Sequence, residues 1–119
     1  MTPEEIVKQA EAAFQAQDIE LVEDLYDPEV IVYGNGKKLF EGREQYIDFE
    51  KKVIASWKDY KTRHTLRAAS GDTIAFEFEI SAILLEDEKQ VQVYGAEFWK
   101  MRNNRPIEVS SYHTVYTEE

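Results

Sequence analysis

The chain has 119 residues, 43% hydrophobic and 13% aromatic, which is enough for one domain with a real core. Its 24 acidic and 14 basic residues leave a net charge of −10, which argues against nucleic acid and against anionic membrane surfaces, since both are bound by clustered Lys and Arg. With no cysteine and only two histidines, far apart in sequence, disulfide and thiolate chemistry are excluded and a zinc site is disfavoured.

Thr2-Pro3-Glu4-Glu5 opens a helix. Thr2 is a cap, Pro3 suits the first turn and Glu5 completes a capping box. Ile6, Val7, Ala10, Ala13 and Phe14 then recur at helical spacing. Residues 1–17 are thus acidic and helical in pattern, unlike a signal peptide, and no apolar run reaches membrane-spanning length, so a cytoplasmic protein is expected. Asp18 caps a second short helix with Leu21, Val22 and Leu25 on its buried side. Asp27-Pro28 ends it, because the residue before proline resists the α conformation.

Glu29 to Tyr33 reads as a strand, Gly34-Asn35-Gly36 as a turn, and Leu39-Phe40 as a short return strand. After Gly42 and Arg43 a third helix carries a wide apolar stripe of Tyr46, Ile47, Phe49, Val53, Ile54 and Trp57. From about Asp59 the period changes to two, and residues 59–69, 73–85, 91–101 and 107–116 read as four long strands. Their short connections imply antiparallel neighbours. Helices followed by a strand meander make an α+β layout, with helices on one face of the sheet. No repeat, linker or low-complexity tract divides residues 1–119, so a single domain is expected.

The last two strands carry the chemistry. Val93, Gly95, Glu97, Trp99 and Met101 share one face, so a carboxylate stands among interior residues, where it needs a partner or a cavity. Setting Met101 opposite Ile107, across a connection of residues 102–106, places Trp99 opposite Val109, Glu97 opposite Ser111, Gly95 opposite His113 and Val93 opposite Val115. Two apolar faces then align. Glu97 and His113 become diagonal neighbours, roughly 7–8 Å apart. Gly95 opposite His113 leaves space over the imidazole. His64 falls on the less polar face of 59–69, and Tyr33 can aim its hydroxyl inward from the first strand. Polar groups gathered on the inward faces of a curved sheet suit a small-molecule pocket. The catalytic candidates are therefore Glu97 and His113, and the ligand-binding candidates are Tyr33, Trp57, His64, Trp99 and Ser111. Each has a plainer reading: a satisfied core histidine, a carboxylate bonded to Ser111 or a tyrosine, or a packing aromatic. Glu77 and Glu79 alternate with Phe76 and Phe78 and are expected outward, in a dimer contact. A one-residue register change would set Glu79 opposite Glu97 instead, and two close carboxylates share a proton.

The words FQAQDIELVEDLYDPEVIVYGNG (14–36), FEGREQYIDF (40–49), GDTIAFEFEI (71–80) and YGAEFWKMRNNRPIEVSSYH (94–113), in that order, resemble the superfamily of nuclear transport factor 2, SnoaL-like cyclases and ketosteroid isomerase. The resemblance spans nearly the whole chain. It implies a cystatin-like α+β roll: a cone-shaped, strongly curved antiparallel sheet wrapped around a long helix. It also implies a hollow for a small apolar or cyclic molecule and a homodimer built on the sheet. The tyrosine and aspartate that serve catalysis in ketosteroid isomerase align with Ala10 and Gly34. The Arg-x-Asp of limonene-epoxide-hydrolase-like members aligns with Glu77-Phe78-Glu79, without an arginine. Two functions stay open. One is a cofactor-free isomerase, cyclase or lyase using Glu97 and His113, with Tyr33 or His64 polarising a carbonyl. The other is a non-catalytic ligand-binding or dimerisation module, on a natural or an engineered scaffold. No metal, nucleotide or flavin is required by either.

Overall fold

The first helix forms where its capping residues predict. In the computed structural model, which describes residues 1–118, α1 spans Pro3–Ala16. Glu5 N–H donates to Thr2 Oγ1 at 3.2 Å and Thr2 N–H donates to the Glu5 carboxylate at 3.0 Å, which closes the capping box. Asp18 caps α2, Ile19–Leu25, by accepting from the N–H groups of Glu20 and Leu21. Val22 and Leu25 are buried as expected, but Leu21 is 49% exposed. A seven-residue helix has too few turns to bury more than one i, i+3 row here, and Val22–Leu25 is that row.

A hairpin follows, β1 (Ile31–Gly34) and β2 (Lys37–Glu41). Its two-residue turn, Asn35-Gly36, has φ of 49° and 87°, the left-handed conformation that tight hairpins need. α3, Arg43–Ser56, leads into β3 (Trp57–Ser70), β4 (Thr73–Leu84), β5 (Gln90–Arg102) and β6 (Arg105–Thr117). Trp57, expected on the helical stripe, is extended and begins β3.

The sheet order is β2-β1-β6-β5-β4-β3. The expected all-antiparallel sheet is corrected at one place: β1 pairs β6 in parallel. The meander from β3 ends with β6 beside the earlier hairpin, and β6 meets β1 running the same way. The sheet is therefore mixed, curved and unclosed. α3 leaves β2 at one edge and delivers the chain to β3 at the other, so it must cross the sheet. Register shifts interrupt β3 at Lys58/Lys61 and Leu66/Ala68, and β5 at Lys100/Met101. Such bulges bend and twist a strand. The last of them corrects the expected hairpin. Met101 opposes Pro106 rather than Ile107, and the connection shrinks to Asn103-Asn104, both with positive φ. From Trp99 back to Val93 the register is the one expected.

The exposed backbone of edge strand β3 is taken up by α1. Gln15 accepts from Thr62 N–H at 2.9 Å and donates to Tyr60 O at 2.9 Å, and Glu11 accepts from His64 N–H at 2.7 Å. These bonds use groups that would otherwise recruit another strand. Beneath α1 and α2 lies a buried core that includes Ile6, Val7, Ala10, Val22 and Trp99. Trp99 is 1% exposed and meets Phe76 edge-on at 5.2 Å and Tyr26 at 5.5 Å. Truncating such a ring costs about 3–5 kcal/mol.

The outer face of the sheet is different. Glu77 and Glu79 project outward, as their alternation with phenylalanine predicts, and pair with Arg67 at 2.6 Å and Arg63 at 2.8 Å. Glu97 stands opposite Phe76, not Glu79. Beside these ion pairs Tyr94, Phe98, Tyr112 and Tyr116 are each about half exposed and pack edge to face in two pairs.

Candidate functional site

Between α3 and the concave face of the sheet the packing stops short and leaves a hollow of about 360 Å³. α3 supplies Tyr46, Phe49, Glu50, Val53 and Ile54 along one side, at the 3–4 residue spacing of one helix face. The strands supply Phe76, Phe78, Val93 and Glu97 from alternate positions on the opposite side. The volume lies at the small end of ligand pockets, about 300–1,000 Å³.

Glu97 is half-buried and faces this hollow. The Trp99 indole N–H donates to Glu97 Oε1 at 2.9 Å, and Ser111, directly opposite on β6, also bonds to the carboxylate. Burial pushes the Glu97 carboxyl above its ordinary value, and these two bonds pull against that. Glu97 is thus both a costly charge and a held one.

A second carboxylate faces the same space. Glu50, on α3, is raised to about 7, chiefly by burial. A hydrogen bond from Tyr46 opposes that rise, and the charge of Glu97 adds to it. Tyr46 lies 3.5 Å, hydroxyl to hydroxyl, from the fully buried Tyr26. Burial raises both phenols well above their usual range, so they remain protonated donors. Tyr60, on β3, is raised in the same way.

The other expected residues divide. Tyr33, Trp57, His64, Ser111 and His113 line the hollow. His64 stacks on Phe76 with centroids 5.2 Å apart, and burial depresses its pKa to about 4, against the pull of Glu11. Its imidazole is therefore neutral at pH 7, and its Nδ1 is buried without a protein partner. His113 sits exposed at the rim, with its backbone N–H bonded to Asn35. The bonds that hold Glu97 come from Trp99 and Ser111, not from His113. Trp99 does not line the hollow. It lies behind Glu97 and supports it. The space expected over His113 is filled, because Phe78 reaches within 2.7 Å of where a Gly95 Cβ would stand.

Glu50 was not singled out from sequence, although the signal was there. It falls four residues after Tyr46 and three before Val53, so it interrupts the apolar stripe as Glu97 interrupts its strand face. Among the described residues no three metal-ligating side chains converge on one point.

The SnoaL-like domain model matches residues 7–109. The chain belongs to the SnoaL-like domain family. No curated protein matches it. Solved structures share its fold at low identity. The epoxide hydrolase/cyclase-like enzyme SalBIII, of pyran ring formation in polyether salinomycin, superposes with a TM-score of 0.83 at 12% identity over 98% of this chain and 95% of that one. A protein with a ketosteroid isomerase-like fold from Catenulispora acidiphila DSM 44928, in complex with trimethylamine, gives 0.79 at 18% identity over 93% and 86%. An LEH-like epoxide hydrolase of M. tuberculosis gives 0.74 at 13% identity over 94% and 82%. This SnoaL-like domain thus has the family's curved sheet, while Glu77 and Glu79 turn away from the hollow into surface ion pairs.

Proposed function

We propose that this SnoaL-like domain is a cofactor-independent acid–base enzyme, an isomerase, cyclase or lyase acting on a small apolar or cyclic molecule. The observation that carries the reading is the pair of carboxylates, Glu50 and Glu97, on facing walls of one apolar hollow. Carboxyls raised toward neutrality by burial are poised to exchange protons at working pH. Burial raises both carboxyls, and the charge of Glu97 adds to the rise of Glu50. The ionised member takes a proton from an acidic carbon of the ligand. The protonated member returns one to the atom where the electron pair settles, so the ligand is isomerised and the pair ends with the charge it began with. Tyr60 is a protonated donor placed to hydrogen-bond an oxygen on which charge develops, while Tyr46 donates to Glu50. Tyr33, Trp57, His64 and Ser111 contact the ligand, and His113 guards the rim. With no cysteine in the chain, the reducing cytoplasm is a fitting compartment.

The test is proton exchange. Apolar cyclic ketones, with and without a tertiary amine, are incubated with the protein in D₂O, and the α-carbon protons are followed by NMR. Loss of those signals above the buffer rate, abolished by Glu50→Gln or Glu97→Gln, supports the reading. Ketones that bind but do not exchange would refute it. They would leave the second reading, a non-catalytic binding module, which Ala10 and Gly34 favour by standing where ketosteroid isomerase has its catalytic tyrosine and aspartate.

The same reading places a homodimer on the outer sheet face, where Tyr94, Phe98, Tyr112 and Tyr116 form an exposed aromatic patch. Exposed apolar patches of this kind mark association surfaces. Light scattering should give twice the chain mass for the wild type and the chain mass for Phe98→Lys/Tyr112→Lys. A monomeric wild type would remove the proposal.

A further inference from the structure

We propose that the hollow selects a ligand carrying one positive charge on an apolar body, an amine or quaternary ammonium compound. The inference rests on the reading of the hollow as a ligand site and names the ligand's chemistry.

The first argument is charge. Glu50 and Glu97 enter the hollow from α3 and β5, and its lining includes no Lys or Arg. Lys51 and Lys52 of α3 and Lys61 of β3 lie outside that lining, and other cations of neighbouring elements are engaged elsewhere. Arg63, Arg67 and Lys58 pair with Glu79, Glu77 and Glu88. The Arg43 guanidinium donates to the Tyr26 carbonyl at 3.1 Å. Buried charges are normally paired, yet these two acids have no internal counter-ion, and their positions are kept by Trp99, Ser111 and Tyr46. A cationic ligand supplies the missing charge. An anionic ligand meets two acids and nothing to balance them, and a neutral one leaves the two acids without a counter-ion.

The second argument is the wall. Trp57 and Tyr60 stack with centroids 5.8 Å apart, and both line the hollow with Tyr46 and Phe76. Aromatic faces attract alkylated ammonium groups through the ring quadrupole and bury their methyl groups at the same time. Carboxylates and aromatic faces around one small volume therefore suit a cation with an apolar surround better than a hydrated metal ion or a polar sugar.

Cation binding also changes the proton count. Tyr46 of its own helix and Glu97 of β5 act on Glu50, and Glu50 in turn raises Tyr26, at the end of α2, and Tyr60 of β3, while His64 and His113 also line the space. The three phenols and the buried imidazole of His64 carry no positive charge at pH 7.5 that could already neutralise the pair. A bound permanent cation favours both carboxylates ionised, so protons leave as it enters.

The probe is benzyltrimethylammonium, set against its uncharged carbon isostere neopentylbenzene and against phenylacetate. Binding to the wild-type chain is measured by ligand-observed NMR at pH 7.5. The cation should bind at least tenfold more tightly than the isostere, and phenylacetate should not bind. Calorimetry in buffers of different ionisation enthalpy should show proton release with the cation and none with the isostere. Glu50→Gln/Glu97→Gln should erase the preference while leaving the isostere's affinity within about twofold, with unfolding curves confirming that the variant is folded. Equal affinity for cation and isostere, or tighter binding of phenylacetate, overturns the inference and leaves the hollow a ligand site. Binding of none of the three overturns it together with that reading.

Discussion

Glu50→Gln should stabilise this protein, and only above mildly acidic pH. Burial pushes the Glu50 carboxyl up to about 7 in the folded chain, from an ordinary 4.5. Between those two pH values the native state holds a proton that the unfolded state has released, so stability falls as pH rises through that window. The full penalty is present above about pH 7 and amounts to about 3 kcal/mol, as an order of magnitude. Glutamine keeps the shape of the side chain and an acceptor for Tyr46, but it is never charged. Weakening a charge-assisted bond to a neutral one gives back about 1 kcal/mol. At pH 8 the variant should then be about 2 kcal/mol more stable than the wild type, a rise in melting temperature of roughly 8 °C for a chain of this size. At pH 4.5 the advantage should vanish, because both side chains are then largely uncharged. The assay is urea or thermal unfolding of both proteins from pH 4.5 to 8.5. The reasoning is refuted if the difference between them does not change with pH, or if the variant is the less stable at pH 8.

Three further outcomes follow from neighbouring groups. His64 has its pKa depressed to about 4 from 6.5 by burial. The unfolded chain therefore gains a proton first as pH falls, and about 3 kcal/mol of stability is lost between pH 6.5 and 4; urea unfolding at pH 4 and 7 should show His64→Phe losing markedly less over that interval. Gly95→Ala would force a Cβ to within 2.5 Å of Tyr112 O and 2.7 Å of Phe78. Its unfolding free energy should drop by about 1–3 kcal/mol, read as a lower denaturation midpoint with the slope unchanged, and a neutral outcome would mean that β5 and β6 separate more easily than their ladder suggests. The Trp99 indole N–H resonance should titrate with Glu97, with a midpoint above 4.5, and should be flat in Glu97→Gln. A wild-type midpoint at or below 4.5 would show that the carboxylate is not desolvated.

The number and type of elements could be read along the chain because each rests on short-range chemistry. The Thr2–Glu5 capping box, the left-handed Asn35-Gly36 turn and the two-residue alternation of β3 to β6 are decided within a few positions of themselves. So is the outward direction of Glu77 and Glu79, which follows from the phenylalanines between them. Glu97 was legible for the same reason, since one carboxylate on an apolar strand face violates a local pattern.

What local pattern cannot settle is anything that depends on which distant elements meet. The parallel contact of β1 with β6 joins residues more than seventy positions apart, and no local signal encodes it. The partnership of Glu97 with Glu50 requires α3 to lie across the sheet, and that crossing is set by where β2 and β3 fall in the sheet order. Trp99 and His113 share a strand face with the site, yet one is buried behind it and the other stands at its rim. Strand alternation assigns a side chain to a face. The curvature of the sheet and the reach of the helix decide how deep along that face the protein remains hollow.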